Sequence, residues 1–233
     1  MVDLTSEMAA LWAALGPAPG HRGRVIQIAA ANSGEGVSTV AREYARLAAV
    51  RARRPVWLVD ADLAQQGQVE AMAAEPDRFG HAGKAAMATP DGSIFFAVTP
   101  RLTDREGRPV HPARLVTARP FLGGRLWGTR FAGEHLRSGQ RAEVLGDARY
   151  WDVLRRHADT VVIDSPAGDR SDAAITLAPF VDATVLVVSA GSTAAGDPLI
   201  LRDEIEAVGG KIAGVVVNRS TYNPPAFLRR LTG

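Results

Sequence analysis

Residues 24 to 39, Arg-Val-Ile-Gln-Ile-Ala-Ala-Ala-Asn-Ser-Gly-Glu-Gly-Val-Ser-Thr, decide the fold of this chain. The apolar run at 24 to 31 predicts a buried strand, and the glycine-containing turn after it leads into a helix predicted from Val37 to Arg51. Pro55 then precedes a second apolar run, 56 to 59, which is followed by Asp-Ala-Asp. A strand, a helix and a second strand in this order imply a right-handed parallel crossover.

The turn within this stretch has the features of a phosphate-binding loop. A strand that turns through glycines into a helix presents backbone N–H groups and a positive helix end to a phosphate. The usual pattern is Gly-x-x-x-x-Gly-Lys-Ser/Thr, in which the lysine reaches the terminal phosphates and the hydroxyl ligates magnesium. Here Ala31 and Val37 occupy the first glycine and the lysine positions, while Gly36 and Ser38 match the pattern. Taken alone, the motif is also compatible with a glycine turn that has no ligand.

The missing lysine should affect nucleotide hydrolysis more than phosphate binding. A valine cannot neutralise the charge that builds on a transferred phosphoryl group, and this loss costs catalysis more than it costs loop formation. The chain has only two lysines, Lys84 and Lys211, and both lie far from the loop in sequence. We therefore expect phosphate binding without efficient hydrolysis. The predicted nucleotide-binding residues of the loop are Ser33, Gly34, Glu35, Gly36, Val37, Ser38 and Thr39.

Three aspartates follow apolar strands. Asp60 and Asp62 come after the second strand, and Asp164 comes after a run at 161 to 163. The carboxyl ends of parallel strands share one edge of a sheet, so these carboxylates should lie beside the loop, where magnesium and its waters belong. Each aspartate alone is more typical of a turn or a helix cap. Together they predict a magnesium site formed by Ser38, Asp60 and Asp164, with Asp60 and Asp62 as the catalytic residues if the protein is active.

The rest of the chain predicts an N-terminal helix and linker at 1 to 20 and one α/β domain at 21 to 233. Apolar residues within 4 to 15 form a helical stripe that should pack against the domain, with docking to a partner or a membrane surface as the alternative. A divergent segment at about 64 to 143 contains one predicted strand, 93 to 99. Later elements are a helix at Asp147, buried strands at 161 to 164, 183 to 189 and 212 to 217, and a helix with Asp197 as cap, Pro198 in its first turn and Gly209 at its end.

Composition limits the class of protein. Apolar residues make up 46% and charged residues 22% of the 233 residues, which is typical of a globular chain and too apolar for a disordered one. No apolar run reaches the length of about 18 residues that a membrane span needs, so we expect a cytoplasmic protein. The absence of cysteine excludes disulfides and thiolate chemistry, and the five histidines show no spacing typical of a metal site or a hydrolase triad.

Arginine is concentrated in one segment. Residues 101 to 141 hold nine arginines against three acidic residues, which raises the question of an anionic neighbour. No aromatic ladder or recognition motif accompanies these arginines, so a solvated face is favoured and nucleic acid is disfavoured as a partner.

The motifs together resemble a known family, the bacterial tyrosine kinases and capsular-polysaccharide ATPases, which are related to the MinD and ParA partition ATPases. Residues 34 to 39 are similar to that family's Gly-Glu-Gly-Lys-Ser/Thr loop, and 59 to 63 to its second acidic motif. Residues 162 to 166 are similar to its Walker B segment, with Asp172 at a familiar interval. Residues 213 to 218 resemble its closing strand, which implies that Asn218 lies near the adenine. The resemblance covers 24 to 63 and 144 to 220, and it implies a P-loop fold and ATP or ADP with magnesium.

The chain also departs from this family. Val37 replaces the loop lysine, Asn32 stands where partition ATPases carry an additional lysine, and Ala64 stands where the family often has arginine. The Glu-x-x-Arg-x-x-Arg pattern linked to ring assembly is absent from the N-terminal helix, and Tyr222 is the one tyrosine near the C-terminus. These departures argue against autokinase activity.

Three functional hypotheses follow. The first is a degenerate binding module that docks on the cytoplasmic segment of a membrane polysaccharide copolymerase, at the inner face of the membrane, in capsule, exopolysaccharide or holdfast export. The second is an active ATPase or tyrosine kinase in which an arginine, or a lysine from another chain, replaces the missing cation and Tyr222, Tyr150, Tyr44 or a partner is phosphorylated. The third is a MinD- or ParA-like positioning protein that binds DNA through the arginines of 101 to 141. Homo-oligomerisation is left open.

Overall fold

The computed structural model describes residues 4–16, 22–89, 91–104, 106–190, 194 and 196–219. The strands are β1 (Arg24–Ala29), β2 (Val56–Asp60), β3 (Ala86–Met87), β4 (Phe96–Thr99), β5 (Val116–Phe121), β6 (Leu126–Phe131), β7 (Arg141–Val144), β8 (Thr160–Asp164), β9 (Ala183–Ser189) and β10 (Ile212–Asn218). The α-helices are α1 (Thr5–Leu15), α2 (Val37–Arg51), α3 (Gln68–Ala73), α4 (Pro76–Phe79), α5 (Ala148–His157), α6 (Ala173–Leu177) and α7 (Asp197–Ala207). No helix in these ranges has both the length and the apolarity to span a membrane.

The main sheet is mostly parallel, as the sequence predicts. Its strand order is β10-β9-β1-β8-β2-β6-β5-β3. The first six strands pair in parallel, and β5 and β3 add antiparallel pairings at the far edge. β8 lies between β1 and β2, and the register places Asp164 opposite both Ile28 and Asp60. The predicted loop and the predicted carboxylates therefore lie together at the carboxyl ends of these parallel strands.

Both faces of the central strands of this sheet are covered, and alternate residues of each strand point to opposite sides. On β1, Ile26 and Ile28 face a core formed with α1 and α2, whereas Val25 faces a second core that includes Trp151 of α5. The same alternation separates Leu58 from Val59 on β2. This arrangement is an α/β fold with helices on both faces of a mostly parallel sheet.

The predicted N-terminal stripe packs on the domain. Met8 of α1 is 2% exposed, and Leu4, Leu11, Trp12 and Leu15 pack against the core that α2 lines. The Arg51 guanidinium lies 5.0 Å from the centre of the Trp12 ring, a cation–π contact between the two helices. The stripe is thus buried against the domain. Residues 17–20 of the predicted linker lie outside the described residues.

The divergent segment extends the sheet. Its hairpin, β5 and β6, places β6 beside β2, and Trp57 stacks on Trp127 across that pair with ring centres 5.5 Å apart. The strand predicted at 93 to 99 is shorter, because Asp91 accepts bonds from the backbone and hydroxyl of Ser93 in a turn before it. The remaining strand, β4, pairs with β7 in a separate two-stranded sheet.

Two local predictions are wrong. Asp197 does not cap α7 but is its first residue, and its carboxylate accepts a bond from the Asn32 side chain instead. The strand at 212 to 217 is not covered on both faces in the described part of the chain. It forms the edge of the sheet, and Val215 and Val217 are more than half exposed.

Candidate phosphate-binding site

The turn between β1 and α2 has a backbone that requires glycine. Gly34 and Gly36 have φ angles of +82° and +100°, in the left-handed region that side-chain-bearing residues rarely adopt. A Cβ atom at Gly36 would also lie 2.2 Å from Nδ2 of Asn218. That amide donates a 2.8 Å bond to the Glu35 carbonyl oxygen. Asn218, which the resemblance places near an adenine, therefore joins the end of β10 to the loop.

Val37 is the first residue of α2 and is 8% exposed. Its side chain packs into the core with Ile28 and Val40, although the residue also borders the cavity beside the loop. Position 37 therefore supplies packing and no positive charge. The hydroxyl-bearing residues Ser38 and Thr39 follow it in the first turn of the helix.

The start of the loop is held by two carboxylates. The backbone N–H of Asn32 donates to Oε2 of the buried Glu35 at 3.2 Å. The Asn32 side chain donates to Oδ2 of Asp197 at 2.8 Å. Asn32 thus links the loop to α7, and the position where partition ATPases carry a lysine has no cation.

Asp60 and Asp164 face each other across β2 and β8, and Gln68 connects them. Oδ1 of Asp60 accepts the N–H of Asp62, and its Oδ2 accepts the N–H groups of Gly67 and Gln68, all at 3.1 to 3.3 Å. The Gln68 side-chain amide donates to Oδ2 of Asp164 at 2.6 Å and to the Ser38 carbonyl oxygen at 2.9 Å. Oδ1 of Asp164 is buried and has no hydrogen bond of normal length among the described residues, although the Ser38 side chain lies close enough to this carboxyl group to lower its pKa.

Burial disfavours the ionised form of the Asp60 and Asp164 carboxyl groups. It raises the pKa of Asp60 to about 8, with the neighbouring Asp164 as the second cause. Burial raises the pKa of Asp164 to about 6, while its bond from Gln68 works in the opposite direction. A divalent cation would compensate for two adjacent buried carboxylates.

The donor set fits magnesium shared with a phosphate rather than an ion held by protein alone. No group of three acidic or histidine side chains converges within the described ranges. Magnesium bound with phosphates needs only one or two carboxylates, with waters completing its shell. The unpartnered oxygen of Asp164 and the nearby Ser38 hydroxyl meet that need. Asp60 is less well placed, since both of its oxygens already accept backbone N–H groups.

A cation reaches the loop from the segment after β8. Arg170 donates from Nε to the Ser33 hydroxyl at 3.0 Å and from Nη2 to Oδ2 of Asp62 at 2.6 Å. The adjacent Asp169 accepts both the backbone N–H and the hydroxyl of Ser33, at 3.0 and 2.8 Å. These bonds lower the pKa of Asp169, so its carboxyl group is ionised at neutral pH.

The loop between β1 and α2 borders a cavity of about 260 Å³. It brings together the loop residues predicted from sequence and two of the three predicted aspartates. Asp60 and Asn218 support this lining through their bonds to Gln68 and Glu35. The lining residues are Asn32, Ser33, Gly34, Glu35, Gly36, Val37, Ser38, Thr39, Asp62, Asp164, Ser165, Ala167, Arg170 and Arg219.

Sequence reasoning missed Gln68, Asp169 and Arg170. A signal for Arg170 was present, because a basic residue six positions after Asp164 lies in the loop that leaves the carboxyl end of a predicted strand. The second hypothesis includes an arginine as the substitute cation but does not assign that role to Arg170. Gln68 carried no comparable signal.

The tyrosines considered as phosphate acceptors are poorly placed. Tyr44 and Tyr150 are both fully buried, and burial raises the pKa of Tyr44 to about 12 and that of Tyr150 further still. The Tyr44 hydroxyl accepts a bond from Arg24. Neither hydroxyl is accessible to a phosphoryl donor in this fold. Tyr222 lies outside the described residues.

Comparison with known proteins defines the class. No protein-family model and no curated protein matches the sequence. Among solved structures, the kinase domain of the Escherichia coli tyrosine kinase ETK aligns with a TM-score of 0.55 and 14% identity over 95% of this chain and 75% of its own. The VpsO kinase domain aligns with a TM-score of 0.55 and 18% identity over 85% and 86%. MinD from Pyrococcus horikoshii, solved with Mg-ADP, aligns with a TM-score of 0.54 and 15% identity over 89% and 76%.

The chain therefore has the fold of P-loop ATPases of the MinD and ParA type. Within that class, its neighbours include the kinase domains of bacterial tyrosine kinases, the family that the sequence motifs resemble. At these identities the likeness establishes the fold.

Proposed function

We propose that this protein is a degenerate, tyrosine-kinase-like nucleotide-binding module that binds ATP or ADP with magnesium and hydrolyses it poorly. The observation that carries this proposal is the buried valine at the start of α2. The loop keeps the glycine conformations and helix start that phosphate binding needs, while position 37 packs into the core.

The chain's own groups support binding. Residues at the start of α2 line the cavity, and the first N–H groups of a helix have no partner within the helix. Asp164 and Ser38 are the residues that would hold magnesium. When bound, the ion would neutralise phosphate charge. Efficient hydrolysis in P-loop ATPases also uses a cation that reaches the terminal phosphate from the start of the helix, and position 37 does not supply one.

The first prediction concerns position 37. Purified wild-type protein with ATP and magnesium should release phosphate far more slowly than ~1 per second, the low end of ordinary enzymes. Val37→Lys should increase that rate, because the lysine stem can follow the buried path of valine while the ammonium reaches the cavity. Val37→Met, of similar length but uncharged, is the matched control and should not increase it. Wild-type turnover near 1 per second would contradict the proposal.

We infer a role at the membrane from the resemblance and from the kinase-domain neighbours. In this role the protein binds, from the cytoplasm, the cytoplasmic segment of a polysaccharide copolymerase and regulates export of a capsule, exopolysaccharide or holdfast-type polymer. A pull-down with the purified cytoplasmic segment, with and without ATP and magnesium, tests this role. Absence of binding in both conditions would refute it.

One observation favours the second hypothesis, an active ATPase or kinase. Arg170 brings a cation to the loop that lacks lysine. If this cation supports turnover, radiolabelled ATP should label a partner or Tyr222, and Asp60→Ala should abolish the label. The burial of Tyr44 and Tyr150 argues against labelling at those two positions.

The arginine-rich segment does not favour DNA binding. Arg108 pairs with Asp104 and Glu106, and Arg130 pairs with Glu70 and Glu134. In these ion pairs, acidic side chains neutralise the positive charge of two arginines that would otherwise be available to DNA phosphates. The solvated-face interpretation from sequence is therefore the one that we retain.

A further inference from the structure

The segment after β8 is laid along the start of the phosphate loop by backbone bonds. The N–H of Gly168 donates to the Ala30 carbonyl oxygen, and the N–H of Asp169 donates to that of Ala31, both at 2.9 Å. A Cβ atom at Gly168 would lie 3.3 Å from the Ala31 oxygen, so this close approach favours glycine. The position of residue 170 beside the loop is therefore set by the main chain and does not depend on the arginine side chain.

Arg170 then presents its guanidinium to the cavity. It touches the loop directly through the Ser33 hydroxyl, and about a third of its side chain is exposed. Arg219 also lines the cavity, but it reaches it from the end of β10. Among the described cations, Arg170 is the one that hydrogen-bonds to a loop residue. Lys84 and Lys211 do not line the cavity.

Carboxylates occupy the groups that an anion would use. Asp169 accepts the N–H and hydroxyl of Ser33, and Asp62 accepts the guanidinium of Arg170. The Asp169 contacts are exposed and contribute little to stability, whereas in the Arg170–Asp62 pair the arginine is about a third exposed and the carboxylate is largely buried. A phosphate offers more charge and a bidentate match to the planar guanidinium. We therefore expect the Arg170 guanidinium to bind a phosphate oxygen in preference to the Asp62 carboxylate that it contacts in this structure.

A second, independent observation points to a ligand in the same cavity. Oδ1 of Asp164 is buried in its lining without a hydrogen bond of normal length among the described residues, and the Ser38 side chain is a close neighbour of this carboxyl group. An unsatisfied carboxylate oxygen and a guanidinium in one small cavity suit a phosphate group that carries a metal ion.

We propose that Arg170 is the phosphate-binding cation of this loop, contacting the terminal phosphates of a nucleoside di- or triphosphate in place of the lysine that Val37 replaces. This inference rests on the proposed function in taking the ligand to be a nucleotide. The positively charged group comes from the end of β8 instead of from the start of α2.

Calorimetric titration with ATP, ADP, pyrophosphate and AMP tests the inference. Arg170→Ala should weaken ATP, ADP and pyrophosphate binding about 10- to 100-fold, the loss that corresponds to a hydrogen bond from a charged group. AMP should be affected much less, because it lacks the terminal phosphates. Arg170→Lys should bind with intermediate affinity, since lysine keeps the charge without the planar fork. Arg202→Ala, which removes one exposed arginine of α7, should match wild type.

A further variant tests the exchange of partners. Asp62→Asn should bind pyrophosphate more tightly than wild type in magnesium-free buffer, because it removes the carboxylate that competes for Arg170. Thermal melting of each variant shows whether the fold is intact, and Arg170→Lys keeps the test valid if Arg170→Ala is unstable.

The outcomes separate this inference from the proposed function. If Arg170→Ala and Arg170→Lys both bind ATP with wild-type affinity, the inference is wrong and the nucleotide-binding function stands. If wild type binds pyrophosphate in an Arg170-dependent manner but binds no nucleotide, the inference on Arg170 as a phosphate cation stands and the proposed function fails. If wild type binds none of the four ligands, both fail.

Discussion

At the scale of single residues, Gly36 carries two constraints, and Gly34 shares only one of them. Both glycines have positive φ angles, but only at Gly36 would a Cβ atom collide with the Asn218 amide, at 2.2 Å. Nothing lies within 4 Å of the corresponding position at Gly34. A comparison of substitutions at Gly34 and Gly36 therefore distinguishes the cost of backbone strain from the cost of steric contact in the same loop.

We predict that Gly34→Ala lowers the free energy of unfolding by about 1–2 kcal/mol, the cost of a left-handed residue with a side chain. Gly36→Ala should cost more, because Asn218 must also move and release the Glu35 carbonyl oxygen. Adding Asn218→Ala to Gly36→Ala should not add the full cost of either change. Urea unfolding measures these differences. Equal losses for the two glycine variants would show that the contact with Asn218 contributes nothing.

The raised pKa values of Asp60 and Asp164 predict an unusual pH dependence. Between the unfolded value near 4 and the folded value of about 8, the folded protein binds more protons than the unfolded chain at Asp60. The free energy of unfolding should therefore fall as pH rises from 5 to 8 in magnesium-free buffer. Asp60→Asn should show a shallower fall, with the remainder due to Asp164. A wild-type stability that rises over this range would contradict the assignment.

At the scale of secondary-structure elements, α1 contributes one fully buried side chain, Met8, to its contact with the domain. Met8 is 2% exposed, whereas Met87 on the short strand β3 is 66% exposed. Met8→Ala should lower the free energy of unfolding by about 2–5 kcal/mol, because it opens a cavity between α1 and α2. Met87→Ala is the matched control and should change it by less than about 0.5 kcal/mol. Chemical denaturation of both variants checks this, and similar losses would mean that α1 is not held by Met8.

Some helices and strands are predictable from local sequence patterns, and others are not. Helix α2 begins and ends where its pattern predicts, at Val37 and Arg51, because its apolar spacing and the preceding glycine are local signals. Local patterns do not predict the hairpin of β5 and β6. Its place beside β2 depends on pairing across the chain, including the stack of Trp57 on Trp127, which local patterns do not contain.

At the scale of the whole molecule, strand order assembles the site. The parallel neighbours β1, β8 and β2 deliver the loop, Asp164 and Asp60 to one edge, as strand polarity predicts. The divergent segment also contributes, since β7 lines a second cavity of about 410 Å³ next to the first. Asp62 and Arg170 line both cavities, so their ion pair lies between them.

The sequence by itself determined the parallel α/β core, the glycine turn before α2, and the acidic strand ends. Each is encoded within a few consecutive residues, by side-chain period, by glycine and by the residue that ends a strand. Only the tertiary structure decided that Arg170 lies against Ser33, 137 positions away in sequence, and that Val37 packs into the core. Such contacts arise from strand order and loop path, which bring together residues that no local pattern relates.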